Sequence, residues 1–263
     1  MERNGPARRG RQERMVLTHQ DTSIEIRHEL PEHPSLGKDE VHVWRFPLEP
    51  AGDAYDRLLE LLSPDEVERA RRFVFPEHRR RFVVCHGRMR ETLARYLGVA
   101  PDQIVFRYGE HGKPSLASDG ALHFNLSHSH ELAVLAVGAR TLGADVEHLR
   151  PLEDHQRLAD RFFTERESAS LRRCRGEASL ETFFYLWTCK EAYLKAIGKG
   201  LAKPLSDVEV SLPSPGADAF VDIGGDRQEL ARWSLRTFTP EPGYRGALVV
   251  DGRVARTVLY AGV

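Results

Sequence analysis

The chain has little cysteine. Its three cysteines, Cys85, Cys174 and Cys189, are odd in number and widely spaced, and they form no CxxC pair. That excludes a disulfide framework and fits a cytoplasmic, reducing setting. No apolar run approaches the roughly 18 residues needed to cross a bilayer, so no membrane partner is expected. An excess of charge of either sign is also lacking. Lys and Arg number 38 against 39 Asp and Glu, a formal net charge of −1. The molecule as a whole therefore offers no electrostatic partner to nucleic acid, and any anion must be held by a local cluster. There is no glycine-rich linker and no sequence repeat. The stretch Arg3 to Arg14 is basic, but no apolar segment follows it, so it does not read as a secretory signal. Residues 1–37 are expected to be an N-terminal arm, partly disordered.

What is present reads as alternating short elements. Val41 to Phe46 alternates as a half-buried strand does. Ser63-Pro64-Asp65-Glu66 opens a helix, with Ser63 as N-cap, Pro64 at the first position and Glu66 completing a capping box. A longer helix is expected over Glu77 to Leu97, stopped by Gly98. Strands follow near Ile104–Tyr108, Leu122–Leu126, Leu132–Val137 and Leu142–Glu147. Helices resume at His155–Phe163, Thr164–Arg173 (a second capping box, Thr164 with Glu167) and Ser179–Ile197, the last ended by Gly198. Short strands are expected from Val208 onward: Val208–Leu212, Phe220–Ile223, Ser234–Thr239, Ala247–Val250 and Thr257–Tyr260. The order of elements is similar on both sides of residue 142. The expected fold is α+β, with two pseudo-symmetric lobes of helices on a small antiparallel sheet, residues 38–142 and 143–263, and a site in the cleft between them.

Two acidic groupings carry chemistry. In Asp145-Val146-Glu147 the two-residue period of a strand puts both carboxylates on one face. Such a pair suits magnesium, a hard cation that keeps several waters and completes its shell with substrate phosphates. The same spacing also serves a solvated acidic strand edge. On the last long helix, Trp187, Glu191 and Lys195 recur at four-residue intervals on one face, with Lys190 adjacent. An acid flanked by lysines can hold a cation and a diphosphate together, although Glu191 to Lys195 is equally an ordinary i,i+4 pair. The turn Gly198-Lys199-Gly200 is a helix cap or an anion contact. Arg79, Arg80, Arg81, Arg88 and Arg90 crowd the second helix and, with Lys113 in Gly112-Lys113-Pro114, could form a phosphate-binding surface. His128 and His130 make an HxH pair without a third ligand at metal-site spacing, which argues against zinc. Ser127 and His128 are neighbours without a GxSxG elbow, so a nucleophilic serine is not indicated.

In order and separation, three blocks resemble the 4'-phosphopantetheinyl transferase superfamily, in its two-lobed, surfactin-synthetase-activating type. They are Gly112-Lys113-Pro114 with Phe124-Asn125-Leu126-Ser127-His128-Ser129; Gly143-Ala144-Asp145-Val146-Glu147; and Trp187-Thr188-Cys189-Lys190-Glu191-Ala192-Tyr193-Leu194-Lys195, running into Gly198-Lys199-Gly200-Leu201. Each is weak alone, and the ordered set is specific. Ala144 departs from the pattern, where a larger aliphatic residue is usual. The resemblance implies transfer of phosphopantetheine from coenzyme A to a serine of an apo carrier protein of acyl, peptidyl or polyketide type, releasing 3',5'-ADP. It implies Mg2+, or Mn2+ in its place, on Asp145, Glu147 and Glu191. It implies Lys190 and Lys195 on the diphosphate, Lys113, Pro114 and Ser127 on the adenine side, and His128 and Arg81 on phosphates including the 3'-phosphate. Glu191 would be the base, with Glu147 the rival. A cleft completed within one chain implies a monomer. The competing readings are a coenzyme A-dependent acyltransferase, which would leave the diphosphate intact, and a non-catalytic carrier-binding module.

Overall fold

The structure is a computed structural model, and it describes residues 24–118, 120, 122–200, 203–214 and 218–262. The elements run β1 (Ile24–Arg27), β2 (Glu40–Pro47), α1 (Ala54–Glu60), α2 (Pro64–Arg71), α3 (Pro76–Leu97), β3 (Phe106–Tyr108), β4 (Pro114–Leu116), β5 (His123–Ser129), β6 (Leu132–Gly138) and β7 (Leu142–His148). They continue with α4 (His155–Phe162), α5 (Glu165–Leu171), α6 (Glu177–Ile197), β8 (Val208–Val210), β9 (Phe220–Ile223), α7 (Arg227–Arg232), β10 (Trp233–Phe238), β11 (Tyr244–Asp251) and β12 (Arg256–Tyr260).

Two sheets carry the fold, one of five strands in the order β1-β12-β2-β6-β5 and one of three in the order β10-β11-β7. The period of two in the strand sequences explains how they stack. In β6, Ala133, Leu135 and Val137 join a core with Leu93, Met89 and Val83 of α3. The alternate residues Leu132, Val134 and Ala136 join a second core with Leu142, Ala144 and Val146 of β7 and Leu248 and Val250 of β11. The opposite face of β11, Ala247 and Val249, meets Phe183, Tyr193 and Ala196 of α6 in a third core. The molecule is thus layered as helix, five-stranded sheet, three-stranded sheet, helix. A strand buried on both faces must be apolar on both, and β6 is.

The α+β reading with helix-on-sheet lobes describes this molecule, and both capping boxes form. Within the expected arm, residues 1–37, Ile24–Arg27 is a strand that pairs in parallel with β12, while Arg3 to Arg14 lies outside the described residues. The division at 142/143 is not clean. Strand β12, from the end of the chain, lies between β1 and β2 in the first lobe's sheet and pairs in parallel with both. Helices α1 and α7 and strand β4 were not anticipated.

Glu66 shows how a cap becomes a core element. Its Oε2 accepts from Ser63 N (2.9 Å) and from Arg90 Nε (2.6 Å), while Oε1 lies 2.8 Å from His86 Nδ1. Burial alone would raise its pKa. The His86 and Ser63 hydrogen bonds and the Arg90 charge overcome that and hold it at about 2, against an ordinary 4.5. A carboxylate with a depressed pKa stabilises the fold above its unfolded pKa, and that stabilisation is lost as pH falls through the folded value. Urea unfolding of the native chain and Glu66→Gln should therefore differ by roughly 3 kcal/mol at pH 7. The gap should shrink as pH drops from 4.5 towards 2. An equal gap at pH 7 and pH 3 would mean that the ionised carboxylate is not what stabilises this corner.

Candidate active site

Strands β5 and β7 are each the edge of a different sheet, and they meet. A backbone edge with no partner strand leaves donors and acceptors to be satisfied. Here side chains do it. Asn125 Oδ1 accepts from Ala144 N (2.8 Å), Ser127 Oγ from Val146 N (3.4 Å) and Ser129 Oγ from His148 N (3.1 Å). Residues 125, 127 and 129 share one face of β5, so their spacing matches that of the β7 amides 144, 146 and 148. Lys113 extends the ladder: its Nζ donates to Leu142 O and to Ala196 O, both at 2.9 Å. It thereby ties β7 to the last turn of α6. Burial lowers its pKa to about 8.

The two serine hydroxyls act twice. Ser127 Oγ donates to Asp145 Oδ1 (2.9 Å), and Ser129 Oγ donates to Glu147 Oε2 (2.7 Å). Asp145 and Glu147 lie on the α6 side of β7, as period two requires. On that side Gly143 allows the helix to approach: a Cβ there would overlap Ala192 O and Ala196 N. Helix α6 is brought close enough for Lys195 Nζ to reach Asp145 Oδ1 (2.6 Å) and Ser127 Oγ (2.8 Å). The second oxygen of Asp145, Oδ2, is buried and has no hydrogen-bond partner among the described residues.

Glu191, half-buried on α6, joins this group electrostatically. Burial raises its pKa, and the Asp145 and Glu147 charges raise it further against the opposing effect of Lys195. Glu147 is also raised, by burial first and by Asp145, while its hydrogen bond from Ser129 and the charges of Arg150 (3.5 Å away) and Lys195 pull the other way. Three carboxylates and one lysine thus converge where the lobes meet. Among the described residues no three His, Cys, Asp or Glu side chains stand together as a preformed cation cage. The unpartnered Oδ2 of Asp145, the hard oxygen donors and the mutual repulsion of the acids nevertheless suit a cation that takes most of its shell from water and ligand.

The other candidates separate. Of three consecutive arginines, Arg79 donates to Phe73 O (3.3 Å) and Arg80 pairs with Glu49 (2.6 Å). Arg81 has no hydrogen-bond or ion-pair partner among the described residues, and its charge reaches His128. Desolvation of the His128 ring, then the charges of Lys195 and Arg81, lower its pKa. Arg88 pairs with Glu91, and Arg90 is buried on Glu66. Pro114 opens β4 beside Lys113. His130, in the β5–β6 turn, meets the His148 ring in a tilted contact with centroids 4.6 Å apart. Leu201 lies outside the described residues.

Lys190 is a correction. It was expected on a diphosphate, yet its side chain is fully buried and turned away from the carboxylates, paired with Glu167 at 2.8 Å. A helix turns about 100° per residue, so Lys190 and Glu191 cannot face the same neighbour. Asn125, Ser129, Gly143, Arg150 and Glu167 were missed. The spacing of Asn125, Ser127 and Ser129 was the available signal for the first two.

Gly143→Ala should destabilise the protein by about 1–3 kcal/mol, the usual cost of overpacking. Urea melts will check this, and a native-like midpoint would show that α6 can lift from β7 without cost.

Comparisons with known proteins identify the family. Residues 47–140 match the family described as 4'-phosphopantetheinyl transferase, N-terminal, and residues 141–249 match the 4'-phosphopantetheinyl transferase superfamily. The 4'-phosphopantetheinyl transferase HetI of Nostoc sp. is 44% identical over 229 residues, spanning 85% of this chain and 93% of that one. The 4'-phosphopantetheinyl transferase Sfp of Bacillus subtilis is 28% identical over 193 residues, 73% of this chain and 84% of its own. A solved holo-(acyl-carrier-protein) synthase from Bacillus anthracis, in complex with CoA (3',5'-ADP), aligns with 43% of this chain and 96% of its own at 22% identity and a TM-score of 0.37. Identity of 44% across most of both chains, with family matches on either side of residue 140, establishes that this chain belongs to the 4'-phosphopantetheinyl transferase superfamily.

Proposed function

We propose that the chain moves 4'-phosphopantetheine from coenzyme A to a serine of an apo carrier protein, at the junction of β5, β7 and α6, with Mg2+ held by Asp145, Glu147 and Glu191. Family membership carries the activity. The observation that carries the site is the convergence of three carboxylates on Lys195, with Asp145 Oδ2 buried and unpartnered among the described residues. Magnesium, or manganese in its place, would supply charge neutralisation at the diphosphate. The protein's own groups do the rest.

The carrier serine oxygen attacks the phosphorus attached to pantetheine, forming a new P–O bond. The bond from that phosphorus to the bridging oxygen breaks, and 3',5'-ADP departs with the electron pair. Lys195 neutralises charge on the diphosphate oxygens as it accumulates. Arg81 and His128 would hold nucleotide phosphates, including the 3'-phosphate. The Lys113 ammonium is already committed to two carbonyls, so the Lys113-Pro114 turn would offer the adenine its backbone and apolar stem. Ser127 would orient Lys195 and Asp145.

Glu191 is favoured as the base over Glu147. Among the described residues it has no hydrogen-bond or ion-pair partner, whereas Glu147 accepts from Ser129 and lies near Arg150. The carrier would be a protein or domain of acyl, peptidyl or polyketide type, met in the cytoplasm. A site built within one chain needs no second copy, so the chain would act as a monomer.

Incubation with coenzyme A, Mg2+ and a panel of apo carriers should add the mass of one phosphopantetheine and release 3',5'-ADP. Release of free thiol with the diphosphate intact would identify an acyltransferase instead. Glu191→Gln should lower kcat by about 10²–10⁴-fold, and Asp145→Ala should abolish metal-dependent turnover. Full rate in either variant would remove that residue from the proposed role.

A further inference from the structure

The buried pair Lys190–Glu167 lies behind α6, on the side away from the carboxylates. Its side chains are 0% and 2% exposed. Lys190 Nζ has three donors, and all are used: on Glu167 Oε2 (2.8 Å), on Leu205 O (2.9 Å) and on Val208 O. Glu167 is equally committed. Its Oε2 also accepts from Thr164 N (2.9 Å), and its Oε1 accepts from Val210 N (2.8 Å). One ion pair therefore fastens α6 to the N-terminus of α5, to the turn before β8, and to β8 itself. The Lys190 ammonium also lies 5.3 Å from the centroid of the Phe163 ring.

On its other side, α6 rests on β7 through small groups, Ala192 and Ala196 against Gly143. A contact of that kind brings helix and strand close but is smooth. By itself it opposes rotation and sliding of the helix only weakly; on that side the Lys113 bond to Ala196 O and the Lys195–Asp145 pair hold the last turn of α6, and neither reaches the turn that carries Lys190. Apolar packing is non-directional, whereas a saturated buried pair has one geometry, and fixing a register is the best-attested use of such pairs. Because Lys190 immediately precedes Glu191, anchoring the one fixes the direction of the other.

We infer that Lys190 is a positioning residue: with Glu167 it sets the rotation and height of α6, and so where Glu191 and Lys195 stand against Asp145. This rests on the transferase reading for its kinetic consequence but not for its structural one. The catalytic groups are held from two sides, by Gly143 in front and by the ion pair behind.

The test compares the native chain with Lys190→Met, with Glu167→Gln, and with the double variant, which leaves no unpaired buried charge. Arg166→Ala is the control. It breaks the exposed Arg166–Glu209 pair (3.1 Å), which joins α5 to β8 at the surface. Two readouts are needed. Amide hydrogen exchange across residues 185–196 should quicken about tenfold or more in the double variant and stay native in the control. In carrier modification, kcat should fall about ten- to a hundredfold, the usual consequence of misplacing reacting groups by an ångström or so. KM for coenzyme A should stay within about threefold of native.

A raised KM with native kcat and native exchange would make Lys190 a ligand contact and overturn the inference. A lower unfolding midpoint with native kcat and native exchange would make it a structural pair only, and would also overturn it. If the native chain modifies no carrier, the transferase reading fails while the exchange experiment still decides whether the pair positions α6.

Discussion

The structure depends on the free edge of β7 being capped by side chains of β5. Two sheet edges that met backbone to backbone would fuse into one sheet and leave no gap for a ligand. Two edges left bare would expose unpaired amides to water or to another chain. The ladder of Asn125, Ser127 and Ser129, closed at its lower end by Lys113, avoids both. Each bond contributes only about 1 kcal/mol, but leaving a buried amide unmade costs more. The same hydroxyls that accept from β7 amides donate to Asp145 and Glu147. Joining the lobes and aiming the carboxylates are therefore one set of contacts.

The layered core makes that junction stiff. Strands β2 and β6 are packed on both faces, against α3 on one side and against β7 and β11 on the other. The last strand, β12, completes the first lobe's sheet between β1 and β2. Without it β2 would present a free edge, and Trp44 would lose its stacking on Tyr260, whose ring centroid is 4.4 Å away. The two halves of the sequence are similar in plan but not independent in space.

Much of this was legible from local pattern, and the failures share a cause. Ser63 with Glu66, and Thr164 with Glu167, declare their helix starts because a capping box is a contact between residues three apart. Period two placed Asp145 and Glu147 on one face, and period 3.6 set Glu191 one turn from Lys195. What a helical wheel cannot supply is which side of the helix meets which neighbour. Lys190 was misread for that reason, since its partner Glu167 is 23 positions away and its two carbonyl acceptors lie beyond residue 204. Arg79, Arg80 and Arg81 are indistinguishable as letters, and they differ only in whether Phe73 O or Glu49 is within reach. The pairing of β12 with β2 spans more than 200 residues and has no local trace.

The charge balance at the junction constrains how the proposed site could take a diphosphate. Asp145, Glu147 and Glu191 face one lysine, with Arg150 at the rim. Both Glu147 and Glu191 are held above their ordinary pKa, by burial and then in part by neighbouring acids. A ligand bearing further negative charge would add to that repulsion, and Lys195 cannot neutralise both partners, because its ammonium is already on Asp145 Oδ1. On the proposed reading, a cation placed between the acids and the ligand would convert the repulsion into attraction on both sides. Occupancy by metal and occupancy by diphosphate would then each strengthen the other, a reciprocal coupling that thermodynamic linkage requires. With both present Lys195 could exchange Asp145 for a phosphate oxygen, because the acid it now neutralises would have the cation as its counter-charge.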